Sequence, residues 1–140
     1  MTMTVHVDIV SVEGEIFSGL AEMVFAPAEM GEVGIAPRHA PFISNLVPGE
    51  VRVKISEGES HPFYVSGGVI EVQPHLVTIL ADTAIRAADI DESVALEARA
   101  RAEEALADKT ASVDYAKARS ELAQAVMQLQ TLNRLRRRSR

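Results

Sequence analysis

Four histidines, His6, His39, His61 and His75, are the side chains best suited to proton transfer or metal binding near neutral pH. None has the four-residue spacing, or the HExxH frame, of a helical metal site. A serine nucleophile would be Ser66, but Ser66-Gly67-Gly68 lacks the GxSxG elbow that exposes such a serine. Joined to any His and Asp it makes a triad of the kind that chance supplies in every small protein. Each histidine therefore reads as a surface or loop residue. Glu103-Glu104 sits in an exposed helical pattern and reads as a solvated face. Gly31-Glu32-Val33-Gly34 has the outline of a GxxG phosphate or RNA clamp, but no basic residue lies close before it. It reads as a tight turn whose glycines supply positive φ. With no cysteine, disulfides, Cys zinc sites, iron–sulfur clusters and thiol chemistry are excluded. No catalytic residue, metal ligand or cofactor is assigned.

The elements that carry these residues fall into two parts. All eight glycines and all six prolines precede His75, and none follows to interrupt a helix. Residues 1–88 hold four basic and eleven acidic residues, a net −7; residues 89–140 hold ten and nine, a net +1. The boundary is placed near Ala87-Ala88-Asp89, giving domains 1–88 and 89–140. In the first part Val5, Val7 and Ile9 alternate with polar residues, as do Val51, Val53 and Ile55, and Leu76 to Leu80 is rich in β-branched residues. Turn signals at Glu13-Gly14, Gly31-Glu32, Pro48-Gly49, Glu57-Gly58 and Pro74-His75 separate such runs. Short strands at this spacing predict an antiparallel β-sandwich. Gly67-Gly68, between two apolar runs, predicts a bulge or a close backbone approach.

The second part predicts an antiparallel two-helix hairpin, so that the fold class is α+β. Asp89 with Glu92 has capping-box spacing, which starts the first helix near Ile90. Its expected buried face is Ile90, Val94, Leu96 and Leu106. Asp108 to Ser112 forms the link, and Asp114 caps the second helix. There Tyr115, Ala118, Leu122, Ala125, Leu129 and Leu132 recur at alternating intervals of three and four, the seam of a helix that packs lengthwise on another. Because the first helix offers mostly alanine, the hairpin is expected to be marginally held and movable. The arginine-rich end, Arg134 to Arg140, is either a solubilising terminus that favours the helix dipole or a contact for an acidic surface.

No apolar run is long enough for a transmembrane helix, and Met1 to His6 carries no basic stretch followed by an apolar core. A secretory signal is not expected. Nucleic-acid binding is disfavoured by the acidic first part and by aromatics at 4%. These features describe an interaction or regulatory protein rather than an enzyme.

Several blocks in order resemble the epsilon subunit family of bacterial F-type ATP synthases. They are Asp8-Ile9-Val10-Ser11, Phe17-Ser18-Gly19, Gly31-Glu32-Val33-Gly34-Ile35, Pro37-Arg38-His39-Ala40-Pro41, Tyr64 to Pro74, Val77 to Ala84, and Asp114-Tyr115 with Glu121-Leu122-Ala123. The resemblance implies a non-catalytic rotor subunit of the proton-translocating enzyme, peripheral to the cytoplasmic face of the inner membrane. It implies that the sandwich attaches to the gamma subunit and the c-subunit ring. The hairpin would reach the beta and alpha subunits and inhibit ATP hydrolysis when extended. It further implies partner contacts at Ser11, Glu32, His39, Lys109, Lys117 and Arg119. Two departures stand out. Arg38 replaces the glycine of a Pro-Gly-His-Ala-Pro pattern. In the ATP motif of some relatives, Ile/Leu-Asp-x-x-Arg-Ala, Val94 replaces the arginine within Ile90-Asp91-Glu92-Ser93-Val94-Ala95, which implies weak or absent ATP binding.

Overall fold

The computed structural model describes residues 2–107 and 115–138. The chain divides into two compact units between Arg86 and Ala87. The first contains ten strands: β1 (Val5–Ser11), β2 (Gly14–Ala21), β3 (Met23–Ala28), β4 (Gly31–Ile35), β5 (Phe42–Leu46), β6 (Gly49–Ser56), β7 (Glu59–Val65), β8 (Gly68–Gln73), β9 (Leu76–Ala81) and β10 (Ala84–Arg86). They pair in the order β10-β7-β6-β3-β5-β8-β9-β1-β2, with β4 added on β3. The sheet folds over one core to which almost every strand contributes alternate residues: Val5, Val7 and Ile9 of β1, Val51 and Val53 of β6, Ile70 and Val72 of β8, Val77 and Ile79 of β9. The alternation seen in the sequence is the inward face of each strand.

The two ends of the sheet path meet. Phe17 of β2 packs edge-on against Phe63 of β7 at 5.6 Å. The Arg86 guanidinium donates to the Ile16 carbonyl at 2.7 Å. One pairing departs from the antiparallel expectation: β1 runs parallel to β9, from His6 opposite Leu76 to Val10 opposite Leu80. The two strands are far apart in sequence, so no hairpin dictates their direction.

Gly68 shows why its sequence block tolerates no side chain. Its φ is 136°, and a Cβ there would lie 2.1 Å from the Leu80 carbonyl oxygen on β9. In the Gly31–Gly34 stretch the expected turn is half right. Gly31 has φ 132° and opens β4. Gly34 lies inside β4, where its missing side chain makes room for Met23 and Phe25.

The second unit begins with a 3₁₀ turn, Ala87–Asp89, followed by α1 (Glu92–Ala107) and α2 (Tyr115–Arg138). Two expectations are corrected. The cap of α1 is Asp91, not Asp89, which belongs to the 3₁₀ turn. Asp91 Oδ1 accepts the Ser93 and Val94 amides at 3.0 and 3.4 Å. The buried face of α1 is also different: Val94 and Leu96 are exposed, and Ala95 and Ala102, seven residues apart, face α2. Opposite them, Ala118, Ala125 and Leu132 are buried at the same interval, while Leu122 and Leu129 are half-buried. Alanine at the contact lets two helix backbones approach closely, and the larger side chains are left to the flanks. Asp108 to Asp114, expected as link and cap, lie outside the described residues.

Candidate functional site

Three of the expected contact residues lie on the first unit. Ser11 ends β1 and stays within its own turn: its Oγ accepts the Glu13 amide at 3.2 Å. Glu32 is the second residue of β4 and remains half exposed. Its carboxylate accepts from Arg52 Nη2 at 2.7 Å. Arg52 is itself held on two further sides. Its guanidinium lies 4.5 Å over the Phe25 ring, and its Nε is 3.5 Å from the buried carboxylate of Glu50. The residue after β4 that matters next is His39, whose Nδ1–H donates to the Ala40 carbonyl at 2.7 Å while its ring meets Phe42 edge-on. In the neutral ring that bond places the proton on Nδ1 and leaves Nε2 as the acceptor.

No hydrogen bond joins Ser11, Glu32 and His39 to one another among the described residues. The loop holding His39 is tied to the β8–β9 turn, since Arg38 N–H donates to Pro74 O at 2.9 Å, and the start of β1 is tied to the same turn through His6 N–H and His75 O. Ser11 is at the other end of β1, about 20 Å away at about 3.3 Å per residue. The three residues therefore do not form one hydrogen-bonded site.

One cluster has the residue types of a triad, and the sequence pointed elsewhere for it. His6 Nε2 is 2.9 Å from Asp8 Oδ1 and 3.1 Å from Ser18 Oγ, and Ser18 donates to Asp8 at 2.7 Å. A working triad uses opposite ring nitrogens for its acid and its serine. Here one nitrogen faces both, and the serine proton is already given to the carboxylate. The cluster ties β1 to β2 and lacks the geometry of a working triad.

On the second unit, the Asp91 carboxyl is held below the usual carboxylate range, first by the Ser93 hydroxyl and then by the Val94 amide. Glu92 is lowered by its hydrogen bonds with Arg136, whose own pKa is raised by the same contact. The guanidinium straddles this carboxylate, with Nη1 at 3.2 Å from Oε1, and so joins the first turn of α1 to the last turns of α2. The residues of the degenerate ATP motif take separate places. Ile90 is half-buried, Asp91 caps its own helix, Val94 is exposed and Ala95 is buried against α2. Between the helices a cleft of about 300 Å³ is lined by Ala98, Arg101, Glu121, Gln124, Ala125 and Gln128. It exists because alanine does not fill the seam there. Lys117 and Arg119 are exposed on α2. Lys109 lies outside the described residues. Among the described residues no group of three or more His, Asp or Glu could hold a metal ion, and no helix is long and apolar enough to cross a membrane.

Sequence reasoning missed the clamp on Arg52. Nothing local announces that residues 25, 32, 50 and 52 meet, because three different strands bring them together. The Asp91 cap did have a signal, a serine two residues on.

Comparison with known proteins gives a consistent result. Residues 4–87 match the β-sandwich domain of the ATP synthase delta/epsilon chain, and residues 88–133 match the long α-helix domain of that chain. The chain is 64% identical over 136 residues to an ATP synthase epsilon chain of Nitrosococcus oceani, covering 97% of each. It is 60% identical over 141 residues to that of Thioalkalivibrio sulfidiphilus, covering 100% of each. The fold is similar to a chain in the Euglena gracilis mitochondrial ATP synthase OSCP/F1/c-ring structure, with TM-score 0.70 and 20% identity over 87% of this chain and 76% of that one. It is also similar to one in the Tetrahymena thermophila central stalk/c-ring structure, with TM-score 0.57 and 14% identity over 94% and 98%.

Proposed function

The chain belongs to the ATP synthase epsilon chain family, and from that premise we propose that it is a non-catalytic central-stalk subunit that couples the catalytic head to the membrane c ring and restrains ATP hydrolysis through α1 and α2. The sandwich attaches to gamma and to the ring through the surface carrying Ser11, Glu32 and His39. The helices reach beta and alpha through the basic side chains of α2, Lys117 and Arg119, together with Lys109. Association with the cytoplasmic face of the membrane is peripheral and comes through the complex.

The observation that carries the inhibitory part is the alanine seam of the hairpin. Ala95, Ala102, Ala118 and Ala125 are most of the buried positions among the described residues of the two helices, so parting the helices exposes few large apolar groups. Burying an alanine methyl contributes about 0.8 kcal/mol against about 1.5–3 kcal/mol for a valine, leucine or phenylalanine. A pair held this lightly can exchange one helical partner for another at modest cost. Nucleotide is not its trigger in this reading: Asp91 spends its carboxylate on its own helix, and Val94 offers a phosphate neither charge nor donor.

Titration of an epsilon-depleted F-type ATPase with the full chain, and in parallel with a chain ending at Ala88, tests the proposal. Both are expected to bind, and only the full chain to inhibit hydrolysis. Binding of both with inhibition by neither removes the inhibitory role. Binding of neither removes the central-stalk role.

A further inference from the structure

Arg38 is the one non-glycine residue, among those described, whose backbone occupies the left-handed region, at φ 63°. A Cβ in that conformation crowds the following carbonyl oxygen, a cost that glycine escapes. The neighbours hold it there. Its amide is bonded to Pro74 O, and the His39 amide closes the turn on Ala36 O at 3.2 Å. Strain of this kind persists where the surroundings over-determine it, and it concentrates at functional positions. The side chain so presented is exposed and has no hydrogen bond, ion pair or ring contact with any described residue. It lines an open cleft of about 290 Å³ with Thr2, Met3, Thr4, Pro37 and His75. The His75 ring is likewise without a side-chain partner among the described residues. By contrast, Arg52 and Arg86 of the same unit are committed within the fold.

The Arg38 side chain thus makes no bond within its own unit that would offset the strain of its backbone. We infer that Arg38, with His75 and the Thr2 and Thr4 hydroxyls around it, is a recognition point for a carboxylate on a neighbouring rotor subunit. The inference rests on the central-stalk reading above and adds a residue and a ligand chemistry to it. A single carboxylate fits better than a polyanionic surface. The first part of the chain carries a net −7, which repels an anionic membrane or a nucleic acid as a whole while leaving this one cationic spot available.

Arg38→Gly is the informative variant, because it moves two quantities in opposite directions. Relief of the strain raises the melting temperature of the isolated subunit by roughly 1–4 °C. Loss of the cation weakens binding to epsilon-depleted enzyme by about three- to tenfold and lowers the salt dependence of that binding. The affinity is read on two preparations, catalytic head with gamma alone and the complete complex with its c ring, and a loss in either supports the inference. Arg38→Lys, still charged and still strained, retains most of the affinity. Equal affinity of Arg38→Gly and the parent chain on both preparations at low salt overturns it. Failure of the parent chain itself to bind either preparation overturns the central-stalk reading instead. Arg38-dependent binding to vesicles of phosphatidylglycerol and phosphatidylethanolamine, with subunit affinity unchanged, assigns the cation to lipid phosphate and also overturns it.

Discussion

The sandwich and the hairpin bury different kinds of side chain. The largest fully buried residues, Tyr64, Phe63, Ile9, Ile35, Ile70 and Ile79 among them, all belong to the first unit. Among the described residues of the second unit the buried set is Ala87, Ala95, Ala102, Ala118, Ala125, Thr131 and Leu132. Thr131 turns its hydroxyl back to the Met127 carbonyl at 2.9 Å and so brings no unsatisfied donor into the seam. Transfer free energy scales with apolar area, so the strands are locked by their core while the helices hold each other by close backbone approach and a few capping contacts. The division into platform and movable arm proposed above would need those two levels of consolidation.

The sharpest way to break the contrast is at Gly68. Gly68→Ala sets a methyl against the Leu80 carbonyl and demands a backbone angle that alanine resists. A loss of roughly 3–5 kcal/mol, or of the folded sandwich altogether, is expected. Chemical denaturation of a chain ending at Ala88, in which Tyr64 is the sole tyrosine, reads it, and wild-type stability in the variant would refute the close approach. In the hairpin the corresponding test adds volume. Ala102→Leu overfills a seam built for alanine and costs about 1–3 kcal/mol, read as lost helical circular dichroism with the sandwich transition unchanged. A gain in helix stability would mean that the seam has room and the contrast is overstated.

The smallest expected effect concerns acid. Asp91 and Glu92 both have lowered pKa values in the folded hairpin, so their contribution is complete above the unfolded values, about 4, and is lost as pH falls through the folded ones. The helical signal should decline below about pH 4. Asp91→Asn caps without titrating and flattens part of that decline. An identical acid limb in the variant would remove Asp91 from the account.

Strands were the most legible part of the sequence, because period-two alternation reports directly which side chains point inward. Val5, Val7 and Ile9 behaved as read. Which strands are neighbours was not legible: the parallel pairing of β1 with β9 depends on the whole chain folding over. The hairpin misled in an instructive way. Large residues are the usual markers of a buried face, so Val94 and Leu96 drew the eye, while Ala95 and Ala102 made the contact. Two acids stood two residues apart before α1, and the 3₁₀ turn took Asp89, leaving the cap to Asp91. Of the surface, the substitution at Arg38 was visible as a departure from glycine. Its left-handed backbone was not, since that comes from its bond to Pro74 in the β8–β9 turn.

The parallel pairing of β1 and β9 also sets a timetable for synthesis. His6 meets Leu76, so the first strand must wait some seventy residues for its partner to be made. At about 5–20 residues per second this is roughly 4–14 s during which Val7 and Ile9 have only the β2 hairpin to shelter them. Closure of the sandwich is thus a late, non-local event, whereas α1 and α2 can coil as soon as they leave the ribosome. In a nascent chain stalled before residue 76 the first strand stays a target for chaperones, and release comes only with β9.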